Sequence, residues 1–344
     1  MSQFIQLHML TSYPPSNLNR DDLGRPKTAI MGGANRLRIS SQSLKRAWRT
    51  SDIFMESLGD YKGNRTKRLG VDVYTSLIEK GVSDRDASEW AKQVASVFGK
   101  VKKDSLEIEQ LAHISPEEKA AVGDLVQVMI AENRAPEKEE LELLRNANKA
   151  VDIAAFGRML ASSPSYNVEA AAQVSHAITV HAAKVDEDYF TAVDDLNLHD
   201  EDSGAAHIGE AGFSAGVFYL YVCINRDLLI ENLQGDEALA NKTISALIES
   251  AAKVSPTGKQ NSFASRAHAI YILAEKGEQQ PRSLSVAFLK PIQGQNQAED
   301  AIAVLTTQRE NFEKVYGKCA DHYVTMNALT GEGSLEGIVN LLTE

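Results

Sequence analysis

Residues 36 to 49, "RLRISSQSLKRAWR", carry five basic side chains and no acidic one. A helix is expected from Ser41, with Ser40 or Ser41 as its N-cap. At about 100° per residue, Gln42, Lys45, Arg46 and Arg49 share one arc of that helix. Leu44, Ala47 and Trp48 fall on the opposite side and would anchor it. Like charges four apart repel, so a strip without acidic partners suits an anionic ligand better than an empty solvated face. Arg36 and Arg38 approach from the preceding strand. The helix N-terminus adds partial positive charge. The chemistry expected here is binding of phosphates.

Other candidates are weaker. The loop "NRDDLGRPK" supplies Arg20 and Lys27 to the same strip. Its Asp21 and Asp22 are expected to pair locally with Arg20 or Arg25, because His8 is the only further metal-ligand type nearby. His176 and His181 stand five apart, about 140° around a helix, and cannot chelate one ion from one face. His199 and His207 lie among Asp194, Asp195, Asp200 and Asp202, which reads as a solvated acidic loop rather than a metal site. There is no HExxH, CxxC or Gly-x-Ser-x-Gly. "SPTGKQ" fails as a phosphate loop, since Lys253 replaces the first glycine and Gln260 the Ser or Thr. Lys259 and Gln260 either touch a phosphate or base edge or form an ordinary turn. Met159 is by default a core residue. Phe190, on a polar stretch, either packs on its base or stacks on a ligand. No catalytic residue, metal or cofactor is expected.

The chain must position these groups with 344 residues, enough for one large domain or several lobes. The formal net charge is −11, yet residues 1–50 hold eight basic and two acidic groups, +6, which leaves −17 for the remainder. The opening "MSQFIQLHML" lacks a basic n-region, and no apolar run nears the ~18 residues of a membrane span. Cys223 and Cys319 are expected to be buried thiols, and the protein cytoplasmic.

"FIQLHML" alternates as a half-buried strand, followed by a long loop and a turn at Gly32–Gly33. "SQSLKRAWRTSDIFMESL" is expected as one helix. Residues 66–150 read as a helical insertion without strands. "VEAAAQVSHAITVHAAK" is expected as a helix and "VDEDYFTAVDDLNLHDEDSGAAHIGEAGFSAG" as an extended loop or hairpin. "GVFYLYVCIN" is a strand, "GDEALANKTISALIESAAKV" a helix, "AHAIYILAE" and "SLSVAFLKPI" strands, and "NQAEDAIAVLTTQRENFEKVYG" a helix. The class is α+β, compatible with a ferredoxin-like sheet covered by helices on one face.

"LNRDD", "RISSQSLKRAWR", "DIAAFGRM", "SHAITVH", "YFTAVDDL", "FSAGVFYLY" and "PTGKQNS", in this order, resemble the CasC backbone subunits of type I-E CRISPR Cascade complexes over nearly the whole chain. The resemblance implies an RRM-like palm (1–60, 166–185 and 217–344), helical fingers (61–165) and a β-hairpin thumb (186–216). It implies a subunit without catalytic activity that stacks with further copies of itself along a CRISPR RNA, beside other Cascade subunits. The guide would be kinked at intervals and would pair with target DNA in segments. Arg20, Lys27, Ser40, Gln42, Lys45 and Arg49 then fall on the palm contacts to the guide, and Arg46 shares their strip by helical period. Met159 matches a finger methionine beside the RNA. Phe190 and Thr191 match the thumb wedge, with Ile208 as apolar partner. The resemblance also implies a lysine-rich fingers helix for duplex DNA, where this chain has the acidic "PEKEELELL". A metal-dependent RNA nuclease using Asp21, Asp22 or Asp152, and a stand-alone single-strand binder, are the competing expectations.

Overall fold

The computed structural model describes residues 2–146, 148–192 and 207–344, with backbone only at 192, 207 and 208. It begins with β1 (Phe4–Ser16), followed by the hairpin of β2 (Thr28–Met31) and β3 (Ala34–Ile39). Then come α1 (Ser41–Arg49) and α2 (Asp52–Leu58). The expected single helix over 41–58 breaks at Thr50–Ser51, where the Thr50 hydroxyl donates to Arg46 O and Ser51 caps α2.

The next unit holds β4 (Asn64–Thr66), α3 (Leu69–Glu79), α4 (Asp84–Phe98), β5 (Ala112–Ile114) and α5 (Pro116–Glu132). It packs its own core around Val73, Trp90, Val94, Phe98 and Met129. The strand-free expectation is corrected here, because β4 and β5 pair antiparallel. They are too short for alternation to register. "PEKEELELL" is turn and coil, not helix, and Arg134 holds its Glu140 through two 2.8 Å bonds.

α6 (Val151–Phe156) returns the chain to the main sheet, which gains β6 (Ala172–Val174), β7 (Ala177–Thr179), β8 (Asp186–Ala192) and β9 (His207–Asn225). The helix expected over 168–184 is therefore wrong. Its alanines favour helix intrinsically, but the backbone of β9 claims them, pairing Ala172 with Ile224 and Ile178 with Tyr219. The last part holds α7 (Arg226–Asn232), α8 (Glu237–Lys253), α9 (Gln260–Phe263), β10 (Ala269–Gly277), α10 (Gln297–Tyr316), β11 (His322–Asn327) and α11 (Leu335–Thr343). "SLSVAFLKPI" is no strand. It makes a 3₁₀ turn over Ser285–Phe288 that buries Leu284 and Phe288.

The sheet order is β11-β10-β1-β9-β7-β3-β2, all antiparallel. One face packs on α1, α2, α8 and α11 through Ile5, Leu7, Leu44, Trp48, Phe54, Ile244 and Ile338. The other face is covered too, by the 285–288 turn and α10 through Phe288, Ala301 and Leu305. This corrects the one-sided sheet, and it buries Tyr219 and Tyr271 away from any ligand. β9 is shared. Residues 214–225 pair with β1, while 207–213 pair with β8 as a projecting hairpin. His199 and the four aspartates near it lie outside the described residues. Both cysteines are free and buried, as expected. Among the described residues no helix is long and apolar enough to cross a membrane.

β1 is not half-buried. Gln6 and His8 are as covered as Ile5, at 2% and 0% exposure. His8 Nδ1 accepts from the Tyr219 hydroxyl at 2.9 Å, and Nε2–H donates to Glu275 at 3.3 Å. Arg282 and Arg309 complete the Glu275 shell. Burial pushes the His8 pKa below its ordinary 6.5. Burial pushes Glu275 up, but the His8 and Arg282 hydrogen bonds outweigh it and hold the carboxyl at about 2. On acidification the unfolded chain takes up both protons first, so stability falls below pH 6.5 through His8, and from 4.5 down to about 2 through Glu275. We expect Glu275→Gln to flatten the limb below pH 4.5 in thermal melts followed by circular dichroism. At pH 7 it should cost about 3–5 kcal/mol, because Arg282 loses its carboxylate and Arg309 keeps only Glu313. An equally steep acid limb in the variant would refute this.

Candidate nucleic-acid interface

α1 is fixed before it presents anything. The Ser40 hydroxyl accepts from Ser43 N, and its own N–H donates to Asn19 Oδ1 at 2.9 Å. Ser40 is buried, so it caps α1 and does not face the surface. Ser41 N–H donates to His176 Nδ1 at 3.0 Å. Leu44 and Trp48 are buried, as the wheel requires, with Gln42 and Arg46 exposed and Lys45 and Arg49 half-buried.

Two clefts flank this helix. One, about 540 Å³, is lined by Arg20, Asp22, Ser43, Arg46, Thr257 and Gly258 among others. The second, about 620 Å³, lies toward β4 and α5 and is lined by Gln42, Arg46, Arg49, Lys62, Arg65 and Lys119 among others. A third, about 420 Å³, includes Arg20, Arg25, Lys259, Glu187 and Glu210 at the base of the hairpin. Arg46 and Thr50 line the first two, and Arg20 and Gly24 line the first and third. The clefts therefore join into one track from Lys119 past α1 to Lys259.

Close backbone packing sets the far end of the track. A Cβ on Gly258 would stand 2.2 Å from Leu18 O, so only glycine lets this turn lie against residues 17–18. Lys259 follows in the left-handed region, φ 52°, and points into the third cleft. Gln260 turns inward instead, donating to Pro256 O at 3.0 Å, and braces its own loop. Asn17 Nδ2 donates to both Gly24 O and Gly212 O, tying the Arg20 loop to the hairpin. Asp21 Oδ1 accepts from Leu23 N and Arg25 N, so its partner is the loop backbone. The Arg25 side chain pairs with Glu187 at 3.1 Å.

Some expected members stand elsewhere. Arg36 is fully buried and donates to Thr179 O and Phe288 O, so it clamps the sheet's far face and contributes nothing to the strip. Lys27 is half-buried and lines none of these clefts; its charge and that of Arg38 act on His176. His181 is structural, donating from Nδ1 to Ala182 O and accepting from Val217 N. No group of three or more metal-ligand residues occurs among the described residues.

Arg49 is held from behind. Its Nε donates to Asp152 Oδ2 and its Nη2 to Gly63 O. Asp152 Oδ1 accepts from Gly63 N at 2.8 Å, and Oδ2 meets His113 Nε2 at 2.8 Å. Burial pushes the Asp152 pKa up, but His113 and Arg49 win and hold it below its ordinary value. Both Asp152 oxygens are thus committed to structure. Lys45 and Lys62 are both pushed down, first by burial and then by a neighbouring cation, Arg65 for Lys45 and Arg49 for Lys62.

Met159 is 83% exposed, so the default core assignment is wrong. Phe190 stands opposite Gly209 in the hairpin and Thr191 opposite Ile208. The Phe190 ring lies over Gly209, where an added Cβ would meet it at 2.4 Å. Lys62, Arg65 and Lys119 were not foreseen, although "KGNRTKR" at 62–68 has four basic residues and no acidic one.

Lys62 provides a test, because a lysine with a depressed pKa destabilises the fold while it is charged. Stability then rises with pH toward the ordinary lysine range. Lys62→Gln should raise the melting temperature of the free protein at pH 7 by about 1–2 °C. A fall in differential scanning fluorimetry would contradict the reading that burial and Arg49 outweigh the attraction of Asp152 at Lys62.

The chain resembles solved proteins over nearly its whole length. It aligns with a chain of a solved "CRISPR RNA-guided surveillance complex, pre-nicking" over 99% of both, with a TM-score of 0.85 and 29% identity. It shares the fold of a chain from a second "CRISPR RNA-guided surveillance complex" over 99% of both, with a TM-score of 0.74 and 24% identity. No curated protein sequence matches. Residues 5–338, nearly the whole chain, match the CT1975-like protein family, and the chain belongs to that family.

Proposed function

We propose that this protein is a non-catalytic, CRISPR RNA-binding backbone subunit of a type I-E Cascade surveillance complex in antiviral defence. The observation that carries this is the joined basic track, which runs from Lys119 through Arg46 to Arg20 and Lys259. Its full-length likeness to a chain of an RNA-guided complex supports the choice of RNA. The track is lined by side chains that suit sugar-phosphate and do not select a sequence.

The strand order β10-β1-β9-β7, with α1, α2 and α8 on one face, supports a ferredoxin-like, RRM-type palm. Here the palm binds along its helix edge, because both sheet faces are covered. The unit around α3–α5 serves as fingers and the β8–β9 hairpin as thumb. Further copies of the chain stack along the guide, each thumb reaching the next copy with Phe190, Thr191 and Ile208 at the kink. The guide pairs with target DNA between kinks. The other Cascade subunits complete the assembly in the cytoplasm. The commitment of Asp21 and Asp152 to structural hydrogen bonds supports a subunit that leaves cleavage to others.

Fluorescence anisotropy with single-stranded RNAs of unrelated sequence tests this. Log affinity should fall with log salt, with a slope of about −0.7 per neutralised phosphate. Arg20→Ala with Arg46→Ala should weaken all sequences alike and make the slope shallower by about 1.4 if each arginine meets one phosphate. These two side chains are better probes than Arg49, whose loss would also strand Asp152. Unchanged affinity in the double variant would refute the proposal.

A further inference from the structure

The first cleft beside α1, about 540 Å³, is not purely cationic. Arg20 and Arg46 line it, and so do two carboxylates, Asp21 and Asp22. Asp21 is committed to the N–H groups of Leu23 and Arg25. Asp22 is exposed and makes no hydrogen bond or ion pair among the described residues. The pairing expected for it with Arg20 or Arg25 is therefore absent, and Arg25 pairs with Glu187 instead. Ser43 and Thr257 bring hydroxyl groups to the same lining.

A free carboxylate in a phosphate track needs a reason, because it repels phosphate. It accepts hydrogen bonds and cannot donate them, and a phosphodiester has no donor to offer. Its partner on a nucleic-acid strand is then a sugar hydroxyl or a base N–H. Asp22 follows Arg20 by two residues in one loop, so a phosphate held at Arg20 brings its own sugar to Asp22 before any base. We propose that Asp22 is a specificity-determining residue, which accepts a hydrogen bond from a ribose 2′-hydroxyl so that the track takes RNA in preference to DNA. The proposal rests on the RNA-binding function above and adds what phosphate contacts lack, a distinction between the two sugars. A deoxyribose strand leaves the carboxylate facing phosphates with no donor to satisfy it, which counts against DNA as well as for RNA.

The test measures binding of the full chain to three strands of one sequence and length, with ribose, 2′-fluororibose or deoxyribose. The 2′-fluoro strand keeps the ribose pucker and the bases and lacks only the hydroxyl donor. Wild-type protein should bind the ribose strand about tenfold tighter than either other strand, as for a hydrogen bond to a charged group. Asp22→Ala should bring all three within about twofold of one another, and Asp22→Asn, a neutral acceptor, should keep a preference of about threefold. The wild-type preference should persist in EDTA, because a hydroxyl needs no bridging cation. A preference lost in EDTA, or one that Asp22→Ala leaves intact, would overturn the subsite. If wild-type protein binds no strand, the function proposal fails and takes the subsite with it. If it binds all three equally and with salt dependence, only the subsite fails.

Discussion

The buried carboxylate of Asp152 is the interaction on which the rest of the basic track depends. It sits on α6 and holds Gly63 N–H ahead of β4, His113 on β5 and Arg49 at the end of α1. Three chain segments with separate local reasons to fold are thereby brought to one charge. An unpaired carboxylate at that depth would be costly, and so would an unpaired Arg49. Each satisfies the other only when the β4–β5 unit is docked beside α1. That docking turns Lys62, Arg65 and Lys119 toward Arg46 and makes one cleft out of two surfaces.

At the other end of the track the continuity comes from β9. This 19-residue strand spans ~60 Å at about 3.3 Å per residue. Its C-terminal half lies between β1 and β7, and its N-terminal half carries the hairpin. The hairpin is an extension of the central sheet, so its base is as fixed as the core. Asn17 and the Phe213–Phe263 ring contact, 5.9 Å between centroids, then pin the Arg20 and Lys259 loops to that base.

What the sequence made legible was local. The strip on α1 follows from helical period alone, and Ser40, Leu44 and Trp48 lie where the period puts them. The errors share a cause, which is separation along the chain. The buried state of His8 depends on Glu275, 267 residues away, so its polarity was misread as exposure. Residues 168–184 are strands only because β9 offers edges to pair with. Ser40 and Gln260 have suitable side chains at suitable positions, yet each spends them on its own turn. Arg36 has the charge of its neighbours but the register of the opposite face. The motif order carried the resemblance further than periodicity could, though it too could not tell which side chains were already occupied.

The electrostatics of the free protein are unfinished in a way that bears on function. Lys45 and Lys62 are half-buried beside Arg65 and Arg49, and burial and repulsion both disfavour their charge. Asp152 faces the track from below but is already shared among three donors. The folded chain therefore concentrates cations around α1 in excess of the carboxylates beside them, within a molecule of net charge −11. Folding alone gives no reason for that arrangement, since removing such a lysine would ease both costs. Under the proposed function, a polyanion lying in the track would supply the missing counter-charge, and every phosphate placed there would lower the cost of the cations next to it. Under the same proposal, the acidic surface elsewhere would act in the same direction, repelling a polyanion from other faces within about a Debye length. Affinity and confinement would then have one origin, the excess of positive charge that the fold gathers around α1.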